Sequence, residues 1–313
     1  MKRSDAFPVT TQPGEWLAAP ITIHEVGPRD GLQAESTLTS AEEKIAFCTD
    51  LVNAGLKSIE VASFVRPDLV PQMADAEAVV KGLPRVPGVK FTALVPNLKG
   101  LARALDAQID AVGVFASATE SFAQANMNTT ADNSVKQAAE VVSEARSAGV
   151  PSRAYLSMCF GDPWEGQVDR AAVVARSAEL LEAGAEKVVI SDTIGVAHAA
   201  QVEVLLEDLY KAGFAPSSIA VHFHDTYGQA LANVAAAIRS GVREVDSSAG
   251  GLGRCPFAPG ATGNLATEDL LWFLQGAGNS TDIDLRKVAE ATDWFDLKKG
   301  STSASAVKRA LTA

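Results

Sequence analysis

The chain has 313 residues, enough for one large α/β domain or two smaller ones, and its 47% hydrophobic content supports a sizeable core. A net charge of −11 argues against a nucleic-acid partner. Cys48, Cys159 and Cys255 lie too far apart for a disulfide framework or a zinc knuckle, and no signal-like or membrane-spanning apolar run is present, so a soluble cytoplasmic protein is expected.

Residues 1–19 read as an irregular N-terminal arm. From Ile21 onward, short β-rich runs alternate with longer helical patterns that often stop at glycine. Strands are predicted at 21–26, 58–64, 91–95, 111–116, 153–159, 187–192, 219–224 and 244–248. The intervening helices are placed at 40–53, 70–82, 98–107, 133–148, 170–183, 198–211, 228–240 and 264–276, with residues 117–132 as a long polar loop. Ser40 supplies a helix cap and Gly55 a stop. This alternation predicts an α/β fold, a (β/α)8 TIM barrel over residues 20–282 with a C-terminal helical extension packing on it over 283–313. The competing open, doubly wound sheet usually carries a glycine-rich phosphate turn after its first strand, and Gly27-Pro28-Arg29-Asp30-Gly31 is no such turn.

The most informative stretch is Ile219-Ala220-Val221-His222-Phe223-His224-Asp225. Alternation along a strand points His222 and His224 the same way, making a pair of metal ligands at a strand end. Polar residues paired in the interior are the duller alternative. A barrel collects its chemistry at the carboxyl ends of its strands, where this sequence places Arg29, Asp30, Glu60, Ser63, Asn97, Ser117, Glu120, Ser157, Asp192, Thr193, the two histidines, Cys255 and Asn264. Singly, each has an ordinary role. Asp30 can cap a segment, Glu60 can pair with Arg29, Asp192 can hold a turn, and Asn264 can be the N-cap of the last barrel helix. Together, a carboxylate, two imidazoles and an amide oxygen suit a divalent cation, and the glycine-rich loop around Cys255 suits a lid.

The motifs Glu25-Val26-Gly27-Pro28-Arg29-Asp30-Gly31-Leu32-Gln33, Asp192-Thr193-Ile194-Gly195, His222-x-His224-Asp225-Thr226-Tyr227-Gly228 and Gly-Leu-Gly-x-Cys-Pro resemble the 3-hydroxy-3-methylglutaryl-CoA lyases of the DRE-TIM metallolyases. The resemblance runs from about Ile21 to Gly278. It implies retro-Claisen cleavage of a 3-hydroxy-3-methylglutaryl thioester to acetoacetate and acetyl-CoA. It also implies Mg²⁺ or Mn²⁺ on Asp30, His222, His224 and Asn264, with the substrate's tertiary hydroxyl and free carboxylate on the cation. Arg29 is then expected to stabilise the enolate and Glu60 to orient Arg29. Cys255 corresponds to the family's reactive cysteine, His222 is a possible proton-transfer partner, and Asp192 matches the supporting acid; which group is the base stays open. Arg29, Gln33, Ser63, Asn97, Tyr155, Ser157 and Thr193 are the expected substrate contacts. The partners implied are an acyl-CoA thioester and, by family habit, a second copy in a homodimer.

Four positions depart from the family pattern: Arg254 replaces Gly before the cysteine, Val189 and Ser191 replace Ser and Gly before Asp192-Thr193, and Ala34 replaces Asn. They leave the ligand set intact and put the acyl group in question, with citramalyl-CoA or a longer-chain 3-hydroxyglutaryl-CoA as alternatives. An acetyl-CoA-dependent synthase, a pyruvate-releasing aldolase and a non-catalytic acyl-CoA binder are the remaining rivals. The first two lack the cysteine loop; the third sits poorly with a full set of acid–base groups.

Overall fold

A computed structural model describes residues 11, 12, 14–253, 263–300 and 302–312. Eight parallel strands close into a barrel: β1 (Thr22–Glu25), β2 (Ser58–Ser63), β3 (Lys90–Leu94), β4 (Ala111–Ser117), β5 (Ser152–Ser157), β6 (Lys187–Asp192), β7 (Ile219–Phe223) and β8 (Glu244–Ser247). Strand β1 pairs with both β2 and β8, so no edge is left open. A two-stranded hairpin, Gly161–Asp162 with Gly166–Gln167, stands on the loop after β5.

The helices follow in chain order: α1 (Ala41–Asn53), α2 (Ala76–Gly82), α3 (Leu98–Asp106), α4 (Glu120–Met127), α5 (Ala131–Ser147), α6 (Arg170–Ala183), α7 (Ala199–Lys211), α8 (Ala230–Arg239), α9 (Thr267–Gly276), α10 (Leu285–Glu290), α11 (Asp293–Lys299) and α12 (Ala306–Thr312). Ser40 starts α1 through a reciprocal capping box with Glu43. The large apolar core lies between the outer faces of the strands and the helices. Inside the barrel is a small apolar group of Leu94, Tyr155, Val189 and Ala220. Buried polar side chains at neighbouring inward positions, among them His24, Glu60, Arg153, His222 and Asp246, fill the rest.

Three local readings change. The polar loop after β4 contains α4, because Phe122 and Ala123 bury against the barrel and Asn128 ends the turn in the left-handed region at φ 51°. The helix expected at 70–82 is a 3₁₀ turn, Pro71–Met73, followed by α2. The helical extension expected from residue 283 begins as two short helices, α10 and α11, divided around Ala291 and Thr292. The C-terminal helices pack on the barrel, with α9 against α10 and α12, and α1 against α10. No described helix is long and apolar enough to cross a membrane.

Candidate active site

Strand β1 runs straight into a single π-helical turn, Gly27–Gly31, in which the backbone N–H groups of Arg29, Asp30 and Gly31 all return to the Val26 carbonyl at 3.2, 2.8 and 3.1 Å. The turn sets two consecutive charged side chains at the barrel mouth. Its glycines are fixed by close approach: a Cβ on Gly27 would lie 2.6 Å from Glu25 Oε1, and one on Gly31 would lie 2.8 Å from Leu252 Cβ.

Arg29 lies between two carboxylates. Its Nε donates to Glu60 Oε2 at 2.6 Å and its Nη1 to Asp30 Oδ1 at 2.7 Å. Burial disfavours the charged guanidinium, but Glu60 and Asp30 outweigh that and keep it protonated. Glu60 is fully buried, and burial raises its pKa against the pull of Arg29. A register shift between Glu60 and Ala62 in β2 pairs Glu60 with Thr92 and Ser63 with Leu94. Simple alternation would send Glu60 and Ser63 to opposite faces, and the bulge brings both inward.

His222 and His224 face each other with their Nε2 atoms 3.1 Å apart. Together with Asp30 they form a trio whose ligand atoms all lie within 4.8 Å of one another, the cluster of this kind among the described residues. Burial pushes Asp30 up, but Arg29, the two histidines and a hydrogen bond from Asn264 hold its carboxyl down to about 2. Burial, with His222 alongside, drives His224 down to about 3. At neutral pH these are an ionised carboxylate and a neutral imidazole, the forms that ligate cations.

Asn264 arrives by a route the sequence reading did not anticipate. It is not the cap of α9, whose N-cap is Ala266. Instead the chain at 264–266 is extended and lies alongside the ends of β7 and β8: His224 and Asn264 form a β-bridge, as do Ser248 and Ala266. That pairing carries the Asn264 Nδ2 to within 2.9 Å of Asp30 Oδ2, while its Oδ1 is buried without a partner. Two facing imidazole nitrogens, an ionised carboxylate and an orphaned amide oxygen fit an oxygen- and nitrogen-ligated divalent cation.

The other expected contacts divide. Tyr155 is buried inside the barrel, its ring edge-on to His222 with centroids 6.0 Å apart and its hydroxyl unpaired. Ser63 Oγ and Gln33 Oε1 are likewise buried and unpaired. Ser157 and Thr193 are half-buried at the mouth, where Thr193 Oγ1 accepts from the Met158 N–H at 3.0 Å. Asn97 is exposed and caps α3 by accepting from the Gly100 N–H. Asp192 spends both carboxylate oxygens on its own turn, accepting from Val196 and Ala197 N–H at 3.0 and 2.9 Å, and burial raises its pKa to about 6. Cys255 and Arg254 lie outside the described residues. Of the departures from the family pattern, Val189 is buried one inward position below Ser191, which pairs in register with His222, and Ala34 is exposed.

Three neighbours of the candidate site were missed in the sequence. Asp246 on β8 places Oδ2 3.2 Å from His222 Nδ1, and Arg153 on β5 donates to its Oδ1 at 2.6 Å. Glu25 accepts from the N–H groups of Gly27 and Ala249, at 2.7 and 2.9 Å, and so ties the turn after β1 to the stem of the loop after β8. Burial raises Glu25 to about 7. The signal for Asp246 was its inward position in β8; nothing marked its partner.

The HMGL-like family model matches residues 20–294. Over 290 residues the chain is 43% identical to the cytoplasmic 3-hydroxy-3-methylglutaryl-CoA lyase of Rattus norvegicus, an alignment spanning 93% of this chain and 84% of that one. Among solved structures, the HMG-CoA lyase of Bacillus subtilis superposes with a TM-score of 0.92 at 41% identity, covering 97% of this chain and 100% of the other. An HMG-CoA lyase from Acinetobacter baumannii in complex with coenzyme A and 3-methylmalate gives a TM-score of 0.88 at 33% identity over 95% and 96% of the two chains.

Proposed function

This chain belongs to the HMGL-like family and is a carbon–carbon lyase, and we propose that it cleaves 3-hydroxy-3-methylglutaryl-CoA to acetoacetate and acetyl-CoA with the help of a divalent cation. The observation that carries the reading is the convergence of Asp30, His222 and His224 beside Arg29 at the barrel mouth. In the proposed arrangement these three, with Asn264, hold Mg²⁺ or Mn²⁺. When bound, the cation supplies Lewis-acid polarisation of the substrate's tertiary hydroxyl and carboxylate.

The protein groups do the rest. Arg29 faces the charge that develops on the thioester oxygen as the carbon–carbon bond breaks and its electron pair moves into the enolate. Glu60 and Asp30 hold the guanidinium from two sides, so little reorganisation is needed when that charge appears. A general base takes the hydroxyl proton, the carbinol carbon becomes the ketone of acetoacetate, and the acetyl carbanion takes up a proton, for which Cys255 is the proposed donor. Tyr155, Ser63 and Gln33, whose buried polar atoms lack protein partners, are proposed substrate contacts. The coenzyme A bound by the A. baumannii lyase supports a thioester as the substrate class.

The test is acetoacetate release by purified protein from 3-hydroxy-3-methylglutaryl-CoA with Mg²⁺ or Mn²⁺, and then with EDTA, run beside Cys255→Ala. Cation-dependent turnover that drops by about 10² or more in the variant supports the whole reading. Turnover only with citramalyl-CoA or a longer-chain 3-hydroxyglutaryl-CoA keeps the lyase chemistry and replaces the substrate. Turnover unaffected by EDTA refutes the cation.

A further inference from the structure

We propose that Asp246, anchored by Arg153, is the positioning residue that presents His222 to the cation. This rests on the cation-site reading above and adds a chain of side chains that crosses four barrel strands. His222 on β7 meets Asp246 on β8 through Nδ1 and Oδ2 at 3.2 Å. Asp246 Oδ1 accepts from Arg153 Nη2 on β5 at 2.6 Å. Arg153 Nη1 lies 3.2 Å from Glu244 Oε1, and Glu244 Oε2 lies 3.2 Å from Lys187 Nζ on β6.

The chemistry of the imidazole makes this arrangement directional. A neutral histidine has one N–H and one lone pair, and an ionised carboxylate can only accept. With Asp246 at Nδ1, the proton sits on that nitrogen and the lone pair falls on Nε2, the atom that faces His224 and Asp30. The same carboxylate makes the ring a stronger donor to a cation. Arg153 contributes twice: it fixes the far oxygen of Asp246, and its guanidinium lies 5.2 Å from the centroid of Tyr155, whose ring stands edge-on to His222. The imidazole is thus confined by a hydrogen bond along its edge and by an aromatic ring beside it. Asp246 is fully buried and meets the site through its contact with His222, so it acts through that ring and not on the reacting atoms.

A salt bridge that only ties strands together would give a different signature, and cation affinity separates the two roles. Mn²⁺ dissociation constants are measured by EPR titration of purified protein stripped with EDTA, for the wild type, His222→Ala, Asp246→Asn, Arg153→Gln and the Asp246→Asn/Arg153→Gln double variant. Thermal unfolding of each is followed in EDTA. The expected result is a 10- to 100-fold weakening of Mn²⁺ binding in each of the two positioning variants while the protein remains folded. The double variant should be little worse than Asp246→Asn alone, because the two residues act on one ring. Folded Asp246→Asn protein that binds Mn²⁺ within about twofold of wild type overturns the proposal. Wild type that binds no Mn²⁺, or His222→Ala that binds it as well as wild type, overturns the underlying cation site instead. Should the variants fail to fold, ¹⁵N-histidine spectra of the wild type with Mg²⁺ decide the matter: a proton on His222 Nδ1 supports the assignment, and a proton on Nε2 overturns it.

Discussion

Replacing Glu268 with glutamine probes a buried acid beneath the stem of the loop that follows β8. Glu268 opens α9, is fully buried, and accepts from the Gly250 N–H with both carboxylate oxygens at 2.9 Å. Burial, reinforced by the nearby Glu25 carboxylate, raises its pKa from 4.5 to about 8, against the pull of the Gly250 hydrogen bond and of Lys308. A raised acid makes the fold more stable where the unfolded chain is also protonated. That stability is fully present below about pH 4.5 and is lost as pH rises through about 8. A rise of this size corresponds to at most roughly 5 kcal/mol between the two limits.

Glutamine copies the shape of the neutral acid, keeps an acceptor for Gly250 N–H and cannot ionise. Denaturant unfolding of wild type and Glu268→Gln at pH 5, 7 and 9 should therefore show near-equal stability at pH 5 and a growing advantage for the variant above pH 7. At pH 9 the gain should be a few kcal/mol, or about 5–10 °C in melting temperature for a chain of this size. Groups common to both proteins, such as the low-titrating Asp30, cancel in the comparison. A variant that is less stable than wild type at pH 9, or a stability difference that does not change with pH, refutes the reasoning.

Three further outcomes follow from the geometry. Arg29→Gln should lower kcat by about 10²–10³ with a much smaller change in KM, since the lost interaction belongs to the developing enolate; steady-state kinetics check it. Gly253→Ala should weaken Mn²⁺ binding in an EPR titration, because Gly253 sits at φ 117° and a Cβ there would lie 2.6 Å from Asn264 Nδ2. Lys308→Met should lower the melting temperature by a few degrees and leave KM nearly unchanged: the buried ammonium reaches Thr292 Oγ1 at 2.6 Å, Asp293 at 2.9 Å and Asp296 at 2.8 Å, locking α12 against α11.

The parts of this protein that were legible in the sequence are those whose signal is local. The barrel follows from the repeat of strand and helix patterns, and the His222–His224 pair follows from period-two alternation within one strand. Arg29 and Asp30 share one short turn, so their nearness was legible too, and the contact between Arg29 and Glu60 required only that β1 and β2 be neighbours. What escaped is set by register and by competition for hydrogen bonds. An asparagine ahead of a helical run is a good cap on propensity grounds, yet Asn264 is held in extended backbone because the N–H groups of Asp225 and Leu265 bond across to Gly263 and Phe223. Asp192 and Asn97 stand at strand ends, and the hydrogen bonds that nearby backbone N–H groups make to their side-chain oxygens leave no mark in any periodicity. Asp246 and Arg153 are 93 residues apart in sequence and meet only because closure of the barrel stacks inward positions of β5, β7 and β8 at one level. Such pairs belong to the interior layers of a closed sheet. Their identity becomes readable only once strand register is known, which is why the side chains behind the Asp30–His222–His224 cluster stayed hidden while the cluster did not.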